Sequence, residues 1–324
     1  MSGAQQQWIR QGSLIVAASP AVGASTAAQP GLDLSELHYS FNIRQQDAET
    51  PNTAHIRVYN LKRETLIRIQ KEFTRVILQA GYKNASVGVI FDGTIKQTRS
   101  GREKNTDTFL DILAAEGDLP YNFATINTTL APGATQQQQL DAVGQAVAPY
   151  GAEIDSSALA QTGGVLPRGK VLFGMALSAM ASMAQTSGWT WSIQGGNVKV
   201  IPLTGYLPGE AVVLTSKTGL IGQPESTQEG IKALILINPK VRVGTRVQIA
   251  NYLINQTSNT DGNIVPSYDN PFAGAFAAVT DDGFYRVIVQ EYEGDSRGAP
   301  WYAKLTCLAI DSSAPPATAV PAYP

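Results

Sequence analysis

Apolar and polar residues alternate with a period of two along much of the chain, as they do in strands buried on one face. In "LHYSFNIR", Leu37, Tyr39, Phe41 and Ile43 fall on one side and polar residues on the other. "TAHIRVYNL" sets Ile56 and Val58 on one face, and "TRVILQAGY" reads as a further strand. Near the N-terminus, "LIVAA" is too brief for the apolar core of a signal peptide and is expected to open the fold as a strand. The period changes once in this region. Leu66, Ile69 and Phe73 lie at helical spacing, and Asn60 is the expected cap of a helix over 61–71. A hairpin over 88–115 closes the region.

The middle of the chain has a different pattern. "ATQQQQLDAVGQAVAPYG" sets Leu140, Val143 and Val147 at helical spacing before Pro149 and Gly151, with Gln136 to Gln139 as exposed first turns. "GKVLFGMALSAMASMAQTSG" predicts a second helix, stopped at Gly188. "WTWSIQGGNVKVIPL" predicts a hairpin turning at Gly195 and Gly196, with Trp189, Trp191 and Ile193 on one face. From Glu210 the β pattern returns in "IKALILIN", "TRVQIANYLI" and a hairpin over 283–310. Residues 255–282 read as a long polar loop, and 313–324 as an extended or disordered tail.

The two β regions resemble one another. "HIRVYNL" and "LILINP" are apolar strands that run into Asn60 and Asn238, and Thr-Arg-Val occurs at both Thr74 and Thr245. A tyrosine follows each, Tyr82 and Tyr252, and then a hairpin of the same length. Leu110, Ile112 and Ala114 match Leu305, Cys307 and Ala309, with Asp111 and Lys304 pointing away. The second copy carries "PKVRVG" in place of the helix and lengthens its later loop. The expected fold is mainly β with a small α/β insert, with two similar β-barrel domains in tandem. Its divisions are a first barrel over 1–117, the insert over 118–205, a second barrel over 206–312 and the tail over 313–324. Leu110 and Trp301 should point inward.

Charge narrows the function. With 24 basic and 26 acidic residues among 324, the chain lacks the cationic excess of a duplex nucleic-acid binder or a polybasic membrane anchor. It is expected to be made and kept in a cytoplasm. The single cysteine, Cys307, cannot form an intramolecular disulfide and sits in an alternating strand as a small apolar residue. Two histidines, His38 and His55, with that cysteine elsewhere, do not make a spaced metal cluster. There is no G-x-S-x-G motif.

Three further features invite a chemical reading. "GVLPRGKV" approaches a phosphate-binding loop, but Val171 replaces the magnesium-binding hydroxyl, Pro167 removes an N–H, and no apolar strand precedes it. Glu291, Glu293 and Asp295 in "EYEGD" could imitate a glycosidase carboxylate pair, although such residues beside a turn are usually solvated. Lys96, Arg99, Arg102 and Lys104 make a basic hairpin tip suited to an exposed turn or to an acidic neighbour. No catalytic, cofactor-binding or metal-ligating residue is expected.

The ordered series "LDLSELHYSFNI", "TPNTAHIRVYNLKRET", "VILQAGY", "GVIFDGTI", "VLPRGKVLFG", "SGWTWSIQGGNVKVIP", "LINPKVRVGTRVQI" and "GFYRVIVQEYEGDSRGAPWYAKLTCLAI" resembles bacteriophage baseplate hub proteins of contractile tails. That family includes Mu-like and T-even hubs and is related to the base of the type VI secretion spike. The resemblance implies a non-enzymatic homotrimer in the virion, at the tail baseplate, assembled in the host cytoplasm. Its two barrels would resemble the tube-forming domain. Its partners would be the tail tube or a tube-initiator protein, the central spike and other baseplate proteins, with DNA passing through unbound. Arg99, Arg102 and Arg297 are the expected inter-subunit contacts. The rival readings are a β-rich carbohydrate-binding or adhesin module using Trp189, Trp191 and Trp301, and a glycan hydrolase using the Glu291 region.

Overall fold

The computed structural model describes residues 9–18, 31–83, 85–104, 106–159, 164–227, 229–250, 253–256 and 283–309. Most of the expected loop over 255–282, Tyr252 and the expected tail over 313–324 lie outside the described residues. No helix among the described residues is long and apolar enough to cross a membrane.

The chain opens with β1 (Arg10–Ala17), β2 (Leu32–Asp33), β3 (Tyr39–Gln46) and β4 (Thr53–Tyr59). After α1 (Arg63–Glu72) come β5 (Arg75–Tyr82), β6 (Val87–Arg102) and β7 (Thr108–Ala115). The alternation read from the sequence is the pleat itself: Tyr39, Phe41, Ile43, Ile56 and Val58 are all buried. Asn60 does not cap α1, whose N-cap is Lys62 with no side-chain cap bond. Asn60 instead takes a left-handed conformation (φ 55°), and its side-chain oxygen accepts the Thr108 N–H at 3.0 Å. It therefore fastens the end of β4 to β7.

The middle contains α2 (Asp118–Phe123), β8 (Thr125–Leu130), α3 (Gln136–Val147), β9 (Ile154–Asp155), β10 (Lys170–Met175), α4 (Ala176–Ser187), β11 (Trp189–Gln194) and β12 (Asn197–Pro202). Thr135 and Gln138 cap α3 reciprocally. That start sets Gln139 on the inner stripe beside Leu140 and Val143, so the last glutamine of the run is buried, not exposed. The predicted second helix is shorter than its sequence suggests. Its residues Lys170–Met175 form β10, paired with β8, because Leu172 turns inward while Val171 and Phe173 turn out. Gly188 ends α4 as expected, in the left-handed region. Gly195 and Gly196, both at positive φ, make the tight β11–β12 turn.

The remainder is β13 (Val212–Leu214), β14 (Leu220–Thr227), β15 (Gly230–Leu236), β16 (Arg246–Ile249), β17 (Asn255–Gln256), β18 (Phe284–Asp295) and β19 (Trp301–Ala309). Strands of both β regions belong to one 14-stranded sheet. In the first region the hydrogen-bonded order is β1-β5-β6-β7-β4-β3; in the second it is β13-β16-β18-β19-β15-β14. These are the same order of first, fourth, fifth, sixth, third and second principal strands. The copies differ at one pairing: β1 runs antiparallel to β5, whereas β13 runs parallel to β16.

Pairing corrects the sequence match in detail. Thr74 and Thr245 are equivalent, because their carbonyls accept from Ile95 and Val287 respectively. Val58 lies across from Leu110 on β7, and its counterpart Ile235 lies across from Ala303 on β19. Leu110 thus corresponds to Ala303, two residues from the Leu305 that sequence similarity selects. The same ladder sets Asn60 against Ile237, not Asn238. Both hairpins nonetheless face inward as expected, with Leu110, Trp301, Leu305 and Cys307 buried. Burial pushes the Cys307 thiol up to about 12, so it stays protonated and inert.

The two β copies contribute to one continuous sheet. They join through β3 and β18, from Val289 opposite Gln46 to Asp295 opposite Ser40, and share one continuous apolar core. The helices and small sheets of the middle enclose a second core containing Leu140, Met180, Trp189 and Trp191.

Candidate assembly interface

Each hairpin has a single-residue bulge in its first strand. Lys96 is the extra residue in β6 and Ile288 in β18. A bulge bends and twists its strand. Before the bulge, β6 pairs with β5 and β18 with β16. After it, the strand leaves that partner. In β18 the freed edge is taken by β3, and the joint carries the ion pair Arg44–Glu291 at 3.6 Å. In β6, residues 97–102 pair with β7 on one side and with no strand among the described residues on the other.

The predicted contact residues separate on this framework. Arg99 and Arg102 are exposed on the open half of β6, without an ion pair among the described residues. Asp111, opposite Arg99, is instead engaged by Arg57 at 2.6 Å and by His55 at 3.3 Å. Burial alone would raise the Asp111 carboxyl, but the bonds and charge of Arg57 and His55 outweigh it and hold it low. Asp111 points away from the apolar core, as expected, yet is buried beneath these partners. Arg297 lies elsewhere, in the β18–β19 turn, where its guanidinium donates to the Glu36 carbonyl at 3.0 Å. The basic residues do not converge on a hairpin tip, since Lys96 is bound to Asp118 at 2.7 Å.

The carboxylates considered for catalysis are each engaged by a basic side chain, two of them across the same joint. Glu291 pairs with Arg44, Glu293 with Lys304 at 3.2 Å, and Asp295 with His38 at 2.8 Å. Lys170 opens a strand, so the glycine loop before it does not present a helix N-terminus to phosphate. Trp189, Trp191 and Trp301 are all buried and form no exposed platform for a sugar. Among the described residues, no group of three His, Cys, Asp or Glu side chains could hold a metal ion.

Two buried polar groups escaped the sequence reading. Glu116 is fully buried where the first copy meets the middle of the chain. Asn52 links the two, donating to Glu116 at 2.9 Å and to the Ile193 carbonyl at 2.5 Å. Burial pushes the Glu116 carboxyl up to about 7, against the hydrogen bonds of Asn52 and nearby backbone N–H groups. A cavity of about 190 Å³ adjoins it, lined also by Gln45, Asp92, Arg242 and Tyr292. The inward series Leu110, Ile112, Ala114 continues to Glu116, a signal already present in the sequence. The second group is Arg286, which contacts Asp47 and donates to the carbonyls of Pro202 (3.0 Å), Leu203 (3.2 Å) and Gly205 (2.9 Å). It thereby fastens the exit of β12 to β18 and to the turn after β3.

No protein-family model matches the chain, and no curated protein matches it. Solved structures do. The 43 kDa tail protein of prophage MuSo2 from Shewanella oneidensis aligns over 93% of this chain and 98% of its own, with TM-score 0.54 and 7% identity. The fold is that of phage tail proteins. The tail protein from Neisseria meningitidis MC58 aligns over 93% of this chain and 96% of its own, with TM-score 0.52 and 9% identity. The E. coli c3393 protein covers 85% of this chain and 74% of its own, with TM-score 0.52 and 10% identity. It is a component of the type VI secretion system and exhibits structural similarity to the T4 tail proteins gp27 and gp5. The tail-protein fold thus extends across both β copies and the segment between them.

Proposed function

We propose that this chain is a non-enzymatic structural hub of a phage tail baseplate, a homotrimer that connects the tail tube to the central spike. The observation that carries the reading is the repeated strand order, β1-β5-β6-β7-β4-β3 and β13-β16-β18-β19-β15-β14. A part between a six-fold tube and a three-fold spike must present six similar surfaces on one side and three on the other. Three chains with two like β units each meet that requirement within closed symmetry. In this reading residues 1–117 and 206–312 alternate around a ring, and residues 118–205 lie outside it.

The ring encloses a channel through which DNA passes without specific binding, consistent with a net charge of −2. The partners are the tail tube or a tube initiator, the spike and other baseplate proteins. The protein assembles in the host cytoplasm and resides in the virion. Gold-labelled antibody against the chain should mark the tail end distal to the head in electron micrographs of purified particles. Label on the head, or its absence from particles that contain the chain by mass spectrometry, would contradict the reading.

A further inference from the structure

We infer that the open edge of β6, residues 97–103, receives β14 of a second copy of this chain, in the antiparallel register by which β18 receives β3 within one chain. The inference rests on the trimeric reading and specifies its subunit contact.

The argument starts from equivalence within the repeat. Ile95 and Val287 each precede a one-residue bulge and donate to Thr74 and Thr245. Counting onward, Gln97 corresponds to Val289 and Glu103 to Asp295. The run from Val289 to Asp295 is flanked by β19 and β3. The matching run in β6 is flanked by β7 alone among the described residues.

The missing partner is identified the same way. β3 stands beside β4 as β14 stands beside β15. Tyr39 opposite Val58 matches Leu220 opposite Ile235, and Arg44 opposite Thr53 matches Thr227 opposite Gly230. Between Ile221 and Glu225, β14 contains a bulge that β3 lacks. Transferring the inner joint's register sets Thr227 opposite Arg99, Ser226 opposite Ser100 and Glu225 opposite Gly101.

That β14 cannot come from the same chain. Within one chain six strands separate it from β6, a path of about 34 Å along the sheet at the usual strand spacing, and the two do not pair. A second copy supplies it, and the contact is head-to-tail, the kind that closes a ring when the rotation permits.

Charge agrees with this register. The inner joint sets basic Arg44 on β3 against acidic Glu291 on β18. The outer edges carry the reverse signs, with Arg99 on β6 and Glu225 on β14 in neighbouring rows of one face. Both are exposed and neither has an ion pair among the described residues. In the single chain, the two residues of β17 bridge Glu225 and Ser226 in parallel. A short cap of this kind blunts a sheet edge, and the longer antiparallel run would replace it.

The test is a chain carrying Arg99→Cys and Thr227→Cys. Directly opposed strand residues have Cα atoms about 4.5–5.5 Å apart, within the range a disulfide spans. Cys307 is fully buried and does not compete. Oxidation should give covalent multimers on non-reducing gels, whereas either single variant and the off-register pair Arg99→Cys with Ile221→Cys should not. Independently, Arg99→Glu should weaken association several-fold, and adding Glu225→Arg should restore it. A trimer by mass photometry that forms no in-register disulfide overturns this contact and leaves the hub reading standing. A chain that remains monomeric up to its solubility limit overturns both.

Discussion

Ile95 and Val287 occupy the same place in the two β copies. Each donates its backbone N–H to the threonine of a Thr-Arg-Val strand, Ile95 to Thr74 at 2.7 Å and Val287 to Thr245 at 3.1 Å. Each is then followed by one unpaired residue that turns the strand away from that partner. The repeat therefore extends below strand order to register and to the device that re-aims an edge. In β18 the re-aimed edge is satisfied by β3, and in β6 it pairs with no strand among the described residues.

Arg286 fastens three parts of the chain, so its removal should be costly. It is buried with Asp47, at 9% and 6% side-chain exposure. Breaking one partner of a buried pair leaves the other charge uncompensated, at about 3–5 kcal/mol. Arg286→Met should lower the chemical-denaturation midpoint accordingly, and Asp47→Asn should lower it too. A midpoint within error of the unsubstituted protein would show that the Arg286 contacts are dispensable.

Trp301 packs edge-on against Phe41, with ring centroids 5.4 Å apart, and donates its indole N–H to Gly81 at 3.3 Å. It thus bridges the second copy to strands β3 and β5 of the first. Truncating a large buried aromatic costs about 3–5 kcal/mol. Trp301→Ala should give insoluble protein or a large fall in melting temperature. A soluble variant with unchanged melting would place the side chain outside the core.

Glu116 makes stability depend on pH with a defined sign. Its folded value of about 7 lies above its ordinary value of 4.5. Below both values the group is protonated in both states and has no effect. Between them only the folded state holds the proton, so stability falls as pH rises, and above about 7 the loss is complete. The full span is on the order of 3 kcal/mol. Urea titrations from pH 5 to pH 8 should show this decline in the unsubstituted protein and a flatter profile in Glu116→Gln. Parallel profiles would remove Glu116 as the cause.

The glycine loop before Lys170 should not bind nucleotide. It leads into β10, and Val171 offers no hydroxyl to magnesium. Calorimetry with millimolar Mg-ATP should give no saturable heat. Magnesium-dependent binding that disappears in Lys170→Ala would contradict this.

Much of the fold was legible because period-two alternation is the physical cause of one-sided burial. Trp189, Trp191 and Ile193 illustrate this, as do Tyr39, Phe41 and Ile43. The same period hides a slip of two residues. Matching Leu110 to Leu305 instead of Ala303 preserves every inward assignment while missing the bulges that set the true register. The six residues of β10 merged with α4 because a short apolar run carries no period that separates strand from helix. β14, with Gly222, Gln223 and Pro224 at its bulge, lacks an alternating signal altogether. The joint between β3 and β18 pairs residues far apart in sequence, and nothing local encodes it. Arg99 and Arg102 were legible as candidate contacts, but the edge that presents them follows only from the bulge at Lys96.

The central claim is that three copies close into a ring in which two β units per chain alternate. Single-particle electron microscopy of the purified chain tests it most directly. The account predicts a particle with one three-fold axis, an inner ring of six similar β units and the helical segments at the periphery. A particle without a three-fold axis, or a ring in which the two β units do not alternate, would contradict it.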